Sequence, residues 1–401
     1  MRRTGDQALV KEINTSIVLD TIIREKLISR ASISNSSGLN KGTVSSLVQE
    51  LIDRHLVYET GIGESSGGRK PVMLRFQHQA GYAIGVDLGV NYVQTILTDL
   101  SGNLVKEQIT TYHSATVQEI IRHIEHAIAN LMPFVPESPY GVVGIGIGIP
   151  GIVDSAGLIL FAPNLGWRDI NLQAVIQERF QLPVHVDNEA NAGAIGEQQY
   201  GAGRHAKDLV YLSVGIGIGA GIMIDGDIYR GASGYSGEIG HMTINADGKP
   251  CRCGNHGCWE LYASENALLD HMNDAKSMNG EQSINGALAL EDILALADKG
   301  DSQAIEALNK VGRYLGIGIA GITNIFNPRQ IVIGNRLTHA QAWLQDAMMH
   351  EIEKRSLRFH QRAVDVHFTE LGTRSTALGA SYMAISSFLR DSVSIARNHI
   401  G

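Results

Sequence analysis

All three cysteines of the chain fall within eight residues, Cys251-Arg-Cys253-Gly-Asn-His-Gly-Cys258, and His241 stands ten positions upstream in Gly237-Glu238-Ile239-Gly240-His241. Thiolates and an imidazole are the donors that tetrahedral zinc prefers, and four protein ligands leave no open position for a reactive water. The chemistry expected here is structural: one zinc ion per chain, held by Cys251, Cys253, Cys258 and a histidine. His241 leads as the fourth ligand, and His256, inside the cluster, competes with it. Three cysteines cannot all pair internally and nothing indicates an oxidising compartment, so a disulfide framework is a poor reading. A chance group of buried thiols is the other alternative, and the close spacing among glycines weighs against it. Glu238 and Glu260 bracket the cluster, so a metal knot would hold two carboxylates at fixed places beside a small polar ligand.

The 401 residues, 44 % hydrophobic and 18 % charged, give room for two or three domains, each with its own core. No apolar run approaches the roughly 20 residues needed to cross a bilayer, so no membrane partner is expected. The N-terminus leads into an amphipathic stretch and not a signal-peptide core, which makes the cytoplasm the expected location. Charge is uneven. Residues 1–80 carry 11 Lys and Arg against 8 Asp and Glu, whereas the rest carries 22 against 33. A mildly basic head on an acidic body confines any nucleic-acid contact to the head.

Within that head, Val10, Ile13 and Ile17 have helical spacing and predict a first helix running to about Lys26. A second, short helix is expected over Ser32 to Gly38, with Ser32 as its N-cap. Val44, Leu47, Val48, Leu51 and Ile52 then follow i, i+3, i+4, i+7, i+8 and predict a third helix with one buried stripe. Lys41, Gly42, Thr43, Ser46 and Gln49 fall at its start or on its opposite face, small and polar as entry into a major groove requires. Leu56–Glu59 and Val72–Phe76 read as a hairpin whose tip carries Arg69 and Lys70, a wing suited to phosphates or the minor groove. A plain helical subdomain with a solvated hairpin would share each element singly; in this order they predict a winged helix-turn-helix.

Beyond the head, Tyr82 to Val105 reads as strand, glycine turn, strand, turn and strand. Asp87 and Gly89 at the first hairpin suit close approach to a metal–phosphate group, or simply a tight turn in a buried sheet.

From about Gly81 to its end the chain resembles the ROK family of sugar kinases, repressors and open reading frames. The resemblance is carried by Glu238-Ile-Gly-His241 together with Cys251-x-Cys253-Gly-x-x-Gly-Cys258-x-Glu260. With the winged head included, it is most similar to the xylose-responsive repressor branch of Gram-positive bacteria. The phrases that carry this are Gly-Leu-Asn-Lys-Gly-Thr-Val-Ser-Ser, Ser-Gly-Gly-Arg-Lys-Pro-Val-Met-Leu, Asp-Asn-Glu-Ala-Asn-Ala-Gly-Ala and Cys-Trp-Glu-Leu-Tyr-Ala-Ser-Glu. The resemblance implies an α/β fold: a winged helix-turn-helix followed by a two-lobed actin/hexokinase-like (ribonuclease H-like) body with a structural zinc knot. The expected divisions are a head at 1–76 and a linker at 77–80. The first lobe takes 81–190 with 376–401, and the second takes 191–375 with the knot and a dimer surface. A sugar pocket between the lobes is implied, with Asn164, Asn188, Glu189, Glu238, His241 and Glu260 at the matching positions. Carboxylates and amides can each bind two adjacent hydroxyls. Trp167 offers an aromatic face to a sugar ring, or fills a core or an interface.

Four positions depart from the family's kinases. Asn188-Glu189-Ala190 stands where they have Asn-Asp-Ala, and a carboxylate displaced by about an ångström costs a general base on the order of 100-fold. Asp87-Leu88-Gly89-Val90-Asn91 stands where they have Asp-x-Gly-Gly-Thr, Gly215-Ile216-Gly217 replaces Gly-Thr-Gly, and Asn335 follows Gly334 in place of a second glycine. These changes predict sugar binding without phosphorylation. The expected function is a repressor of xylose-use genes, a homo-oligomer (dimer or dimer of dimers) on palindromic operator double-stranded DNA, released by xylose, with glucose as a competitor. The alternative is an ATP-dependent sugar kinase with a regulatory head.

Overall fold

The structure, a computed structural model, describes residues 7–62, 71–112, 115–204, 206–278, 288–360 and 364–394; Arg69 and Lys70 of the expected wing lie outside them. The head comprises α1 (Gln7–Glu25), β1 (Ile28–Ser29), α2 (Arg30–Ser37), α3 (Lys41–Asp53), β2 (Val57–Ile62) and β3 (Val72–Phe76), with β3 paired antiparallel between β1 and β2. Three helices followed by an antiparallel hairpin are in the expected order.

Two local expectations change. Val10, Ile13 and Ile17 are exposed at 51 %, 51 % and 39 %, and α1 instead buries Thr15, Val18, Leu19 and Ile22, an equally helical series. Ser29 caps α2, accepting from Ser32 N at 3.1 Å. Pairing of β1 with β3 keeps Ser29 extended, so the helix starts directly after it. In α3 the stripe is as expected: Val44, Leu47, Val48 and Leu51 are buried. Asn40 caps the helix by accepting from Thr43 N at 2.8 Å.

The body contains two five-stranded sheets of the same design. The first is built from β4 (Tyr82–Leu88), β5 (Tyr92–Asp99), β6 (Leu104–Thr111), β7 (Val142–Ile149) and β11 (Val184–Asn188), with α4 (Val117–Leu131) before β7. Between β7 and β11 lie the small sheet β8 (Ile152–Val153), β9 (Ile159–Ala162) and β10 (Trp167–Ile170), then α5 (Leu172–Phe180). Helix α6 (Glu189–Tyr200) leads to the second sheet: β12 (Leu209–Val214), β13 (Ile218–Ile224), β14 (Asp227–Ile228), β15 (Gln330–Gly334) and β16 (Asp365–Phe368). Its helices are α7 (Glu260–Ala263), α8 (Glu265–Met278), α9 (Leu290–Asp298), α10 (Ser302–Phe326) and α11 (Gln341–Arg355), and α12 (Ser375–Val393) closes the described chain. The orders β6-β5-β4-β7-β11 and β14-β13-β12-β15-β16 are equivalent: a central first strand, two antiparallel hairpin partners on one side, two parallel strands on the other.

Helices α6 and α12 cross in close contact between the sheets. A Cβ at Gly379 would lie 1.6 Å from the Ala192 carbonyl oxygen, and one at Gly196 would lie 2.1 Å from that of Ser375. Such backbone-to-backbone approach is available only where side chains are absent. The same helix lies on the first sheet through Gly85 and Gly146, where a Cβ would meet the carbonyls of Ala377 and Ala380.

The head shares a core with the body. Val18, Leu19, Val48 and Leu51 belong to one cluster with Ala80, Val143, Ile385 and Val393, and Phe388 and Leu389 pack against it. Residues 77–80, expected as a linker, include a 3₁₀ turn over His78–Ala80 whose Ala80 is fully buried, and His78 Nδ1 lies 2.7 Å from Asp99 Oδ2. Arg54 donates to the Ser392 carbonyl, and Tyr140 Oη donates to the Arg54 carbonyl at 2.6 Å.

Candidate functional site

The cysteine cluster is set by short-range turns. Cys251 N donates to the Asn255 carbonyl at 2.8 Å and Gly254 N to the Cys251 carbonyl at 3.0 Å, with Gly254 at φ 94° where a side chain would be strained. A 3₁₀ turn, Ile239–His241, delivers the imidazole. One ligand atom from each of His241, Cys251, Cys253 and Cys258 falls within 4.8 Å of the other three. Cys251 Sγ stands 3.7 Å from His241 Nδ1, and Cys253 Sγ 3.7 Å from Cys258 Sγ. A metal about 2.3 Å from each sulfur in a tetrahedron has sulfur–sulfur edges of about 3.8 Å, so the donors fit a single ion. His256 is exposed and lies outside this group. The knot is anchored to the second core by Trp259, fully buried, whose Nε1 donates to the Tyr314 carbonyl at 2.7 Å.

The metal group and the cleft share His241. Its Nδ1 lies 3.4 Å from Glu260 Oε1, and its Nε2 lies 4.0 Å from Glu238 Oε2. From the first sheet come Asn188 and Glu189, where β11 passes into α6. Asn188 caps α6, its Oδ1 accepting from Ala190 N and Asn191 N, while its Nδ2 donates to the Gly151 carbonyl and to Glu189 Oε2, each at 2.9 Å. The glycines after β12 let the two halves meet. A Cβ at Gly219 would be 3.2 Å from Glu189 Oε1, and one at Gly217 would be 2.8 Å from Glu260 Oε2. Five of the six expected sugar residues, Asn188, Glu189, Glu238, His241 and Glu260, therefore gather around this loop. Asn164 stands exposed in the turn between β9 and β10, joined to them by no hydrogen bond among the described residues. Trp167 is fully buried in the first-lobe core and presents no face to a ligand.

Burial raises the pKa values of Glu189, Asp87 and Glu238. Glu189 is pushed up to about 8, mainly by desolvation, with the Glu238 and Asp87 carboxylates adding to it. Asp87 rises to about 7 through burial, opposed by a hydrogen bond from Tyr92. Glu238 is raised by burial, which outweighs the favourable His241. At pH 7 Glu189 therefore keeps its proton for most of the time and can donate to as well as accept from a hydroxyl.

Tyr92 was not singled out from sequence. Its ring lies over the first hairpin turn, where a Cβ at Gly89 would meet it at 2.1 Å, and its Oη donates to Asp87 Oδ2 at 2.9 Å. The carboxylate that would face a metal–phosphate group is thus engaged internally. Asn335 does likewise on the other lobe: its Nδ2 donates to Ser213 Oγ at 2.9 Å and lies 3.2 Å from a Cβ placed on Gly215. On the head, Lys41, Ser46 and Gln49 are exposed along α3 and Thr43 is half-buried; Gln49 Nε2 donates to Asp53 Oδ1 at 2.9 Å.

Residues 83–387 match the ROK family. The chain belongs to this family. It is 43 % identical to the xylose repressor of Bacillus subtilis (strain 168), covering 96 % of this chain and 98 % of that protein. It is 32 % identical to the DNA-binding transcriptional dual regulator NagC of Escherichia coli (strain K12), over 94 % and 93 % of the two chains. A crystal structure of a ROK family transcriptional regulator, a homolog of the E. coli MLC protein, superposes with TM-score 0.81 at 30 % identity, covering 96 % of this chain and 98 % of that one. A ROK family glucokinase from Streptomyces griseus, crystallised with glucose and AMPPNP, superposes with TM-score 0.70 at 29 % identity. It is covered in full yet spans only 76 % of this chain. No helix among the described residues is long and apolar enough to cross a membrane.

Proposed function

We propose that this chain is a sugar-responsive transcriptional repressor, not an enzyme, that binds operator double-stranded DNA as a homodimer and releases it when xylose enters the interlobe cleft. The observation that carries the reading is coverage. The regulator relatives cover 96 % of this chain and are themselves covered to 98 %, whereas the glucokinase, covered in full, accounts for 76 % of it, a shortfall large enough to be the head. Internal engagement of Asp87 by Tyr92 and of the Gly215 loop by Asn335 favours a receptor over the kinase alternative. Lys41, Thr43, Ser46 and Gln49 read bases from α3, and Arg69 and Lys70 hold the backbone. A symmetric dimer places half-sites whole helical turns apart, roughly 10 base pairs each.

Asn188, Glu189, Glu238, His241 and Glu260 bind the sugar hydroxyls, and Asn164, in the turn between β9 and β10, is the sixth proposed contact. The ion in the knot is zinc, one per chain, and it supplies rigidity: with His241 Nδ1 directed to the metal side, Nε2 is left to the cleft beside Glu238. The head is the DNA-binding unit at 1–76, and the lobes divide at 81–190 with 376–401 and at 191–375, the latter bearing the dimer surface. Calorimetry tests the binding half of this reading. Metal-loaded protein should bind xylose at one site per chain, bind glucose in competition, and turn over no Mg-ATP. Phosphorylation of either sugar would overturn it.

A further inference from the structure

Asp187 and Arg230 join the two halves of the sugar site without belonging to it. Asp187 is the penultimate residue of β11 in the first sheet, next to Asn188 and Glu189. Arg230 follows β14 of the second sheet and begins the segment that carries Glu238 and His241. The guanidinium grips the carboxylate with two hydrogen bonds, Nη1 to Oδ1 at 3.0 Å and Nη2 to Oδ2 at 2.6 Å. The Asp187 side chain is 4 % exposed, and its Oδ1 also accepts from Asn188 N at 2.8 Å and Asn191 Nδ2 at 3.1 Å. One carboxylate therefore fixes the residue that caps α6, the strand end that presents the first-lobe ligands, and the second-lobe segment that presents the others. The pair is not embedded in continuous packing. It borders a cavity of about 690 Å³ lined by β11, α6, β13, β14 and α12, including His185, Gln198, Tyr382 and Arg390. On the cavity side the two segments are joined by this bidentate ion pair and not by apolar packing, so the pair bears directly on how β11 and the Arg230 segment are placed.

We infer that Asp187–Arg230 is an interlobe clamp, a pair of positioning residues that favours the lobe arrangement in which both halves of the sugar site face one ligand. This rests on the sugar-receptor reading above. With the clamp formed, binding energy is not spent on bringing Glu238 and His241 to Asn188 and Glu189; without it, the competent arrangement is less populated and apparent sugar affinity falls by that fraction. Lysine keeps the charge at position 230 but not the fork, so it restores the effect only in part.

The test titrates xylose against the wild-type protein, Arg230→Lys and Arg230→Gln, reading sugar affinity by calorimetry and operator release by fluorescence anisotropy, with metal content measured for each. Arg230→Gln should raise both the sugar Kd and the release midpoint at least 10-fold, and Arg230→Lys should fall between. Sugar-free operator affinity should stay within about threefold, with one metal per chain in all three. Unchanged sugar Kd in a metal-loaded, operator-binding Arg230→Gln protein overturns the clamp while leaving the receptor reading intact. If the wild type itself takes up no sugar, the receptor reading fails, and small-angle scattering then decides the clamp alone. A larger radius of gyration for Arg230→Gln supports it, and superimposable profiles overturn it.

Discussion

Glu189 illustrates how a residue's surroundings decide what its chemistry can be. An exposed glutamate titrates near 4.5, but burial beside Glu238 and Asp87 lifts this one to about 8. The folded state thus keeps a proton that the unfolded chain gives up. Its stabilising contribution is complete below about pH 4.5 and is lost as pH rises through about 8, at no more than about 1.4 kcal/mol per pH unit. Glu189→Gln, neutral at every pH, should melt progressively higher than the wild type between pH 6 and 8.5, measured by thermal denaturation; parallel curves would contradict the assignment. The cleft residues were legible through the resemblance to the ROK family, which supplied Asn188, Glu189, Glu238, His241 and Glu260 as matching positions. Tyr92 was not, because nothing in its immediate sequence says that a tyrosine at a hairpin turn folds back onto Asp87. Trp167 failed the other way: a large amphipathic ring looks equally suited to sugar or core, and only the packing of β8, β9 and β10 places it inside.

At the scale of elements, helices with one apolar stripe were read correctly, as α3 shows. In α1 two stripes satisfy the same periodicity, and which one is buried depends on what α3 and α12 present to it. The equivalence of the two five-stranded sheets leaves no readable repeat, because strand order is fixed by long-range pairing and not by local composition. Glycines carry the helix contacts. Gly318 in α10 lies under the ring of Trp259, where a Cβ would come within 2.0 Å of Cε2. Gly318→Ala should therefore push the tryptophan and the knot outward, destabilising the protein by about 1–3 kcal/mol as overpacked cores do. Denaturant unfolding with metal-content measurement checks this. Wild-type stability and metal retention together would show that the knot does not depend on this anchor.

Across the whole molecule, the head is tied to the body by shared packing and not by a free tether, which no local motif announced: 77–80 read as a linker because it is short and lies between two patterned segments. Helix α12 touches α6 at the lobe crossing and the head at its far end, which gives a change in lobe angle a continuous packed route to α3. Arg54, donating to Ser392 near the end of α12, is part of that connection. Arg54→Ala should leave sugar Kd unchanged while reducing the sugar-induced loss of operator affinity at least threefold, read by parallel calorimetry and anisotropy. A coupling of about 1–3 kcal/mol between cleft and operator is the expected range. The measurement that tests this account most directly is fluorescence anisotropy of the metal-loaded protein on operator DNA from upstream of its own operon, at fixed salt, titrated separately with xylose, glucose and Mg-ATP. Tight binding that xylose releases and Mg-ATP leaves untouched is the predicted result. A folded, metal-loaded protein whose operator binding is indifferent to xylose would contradict it.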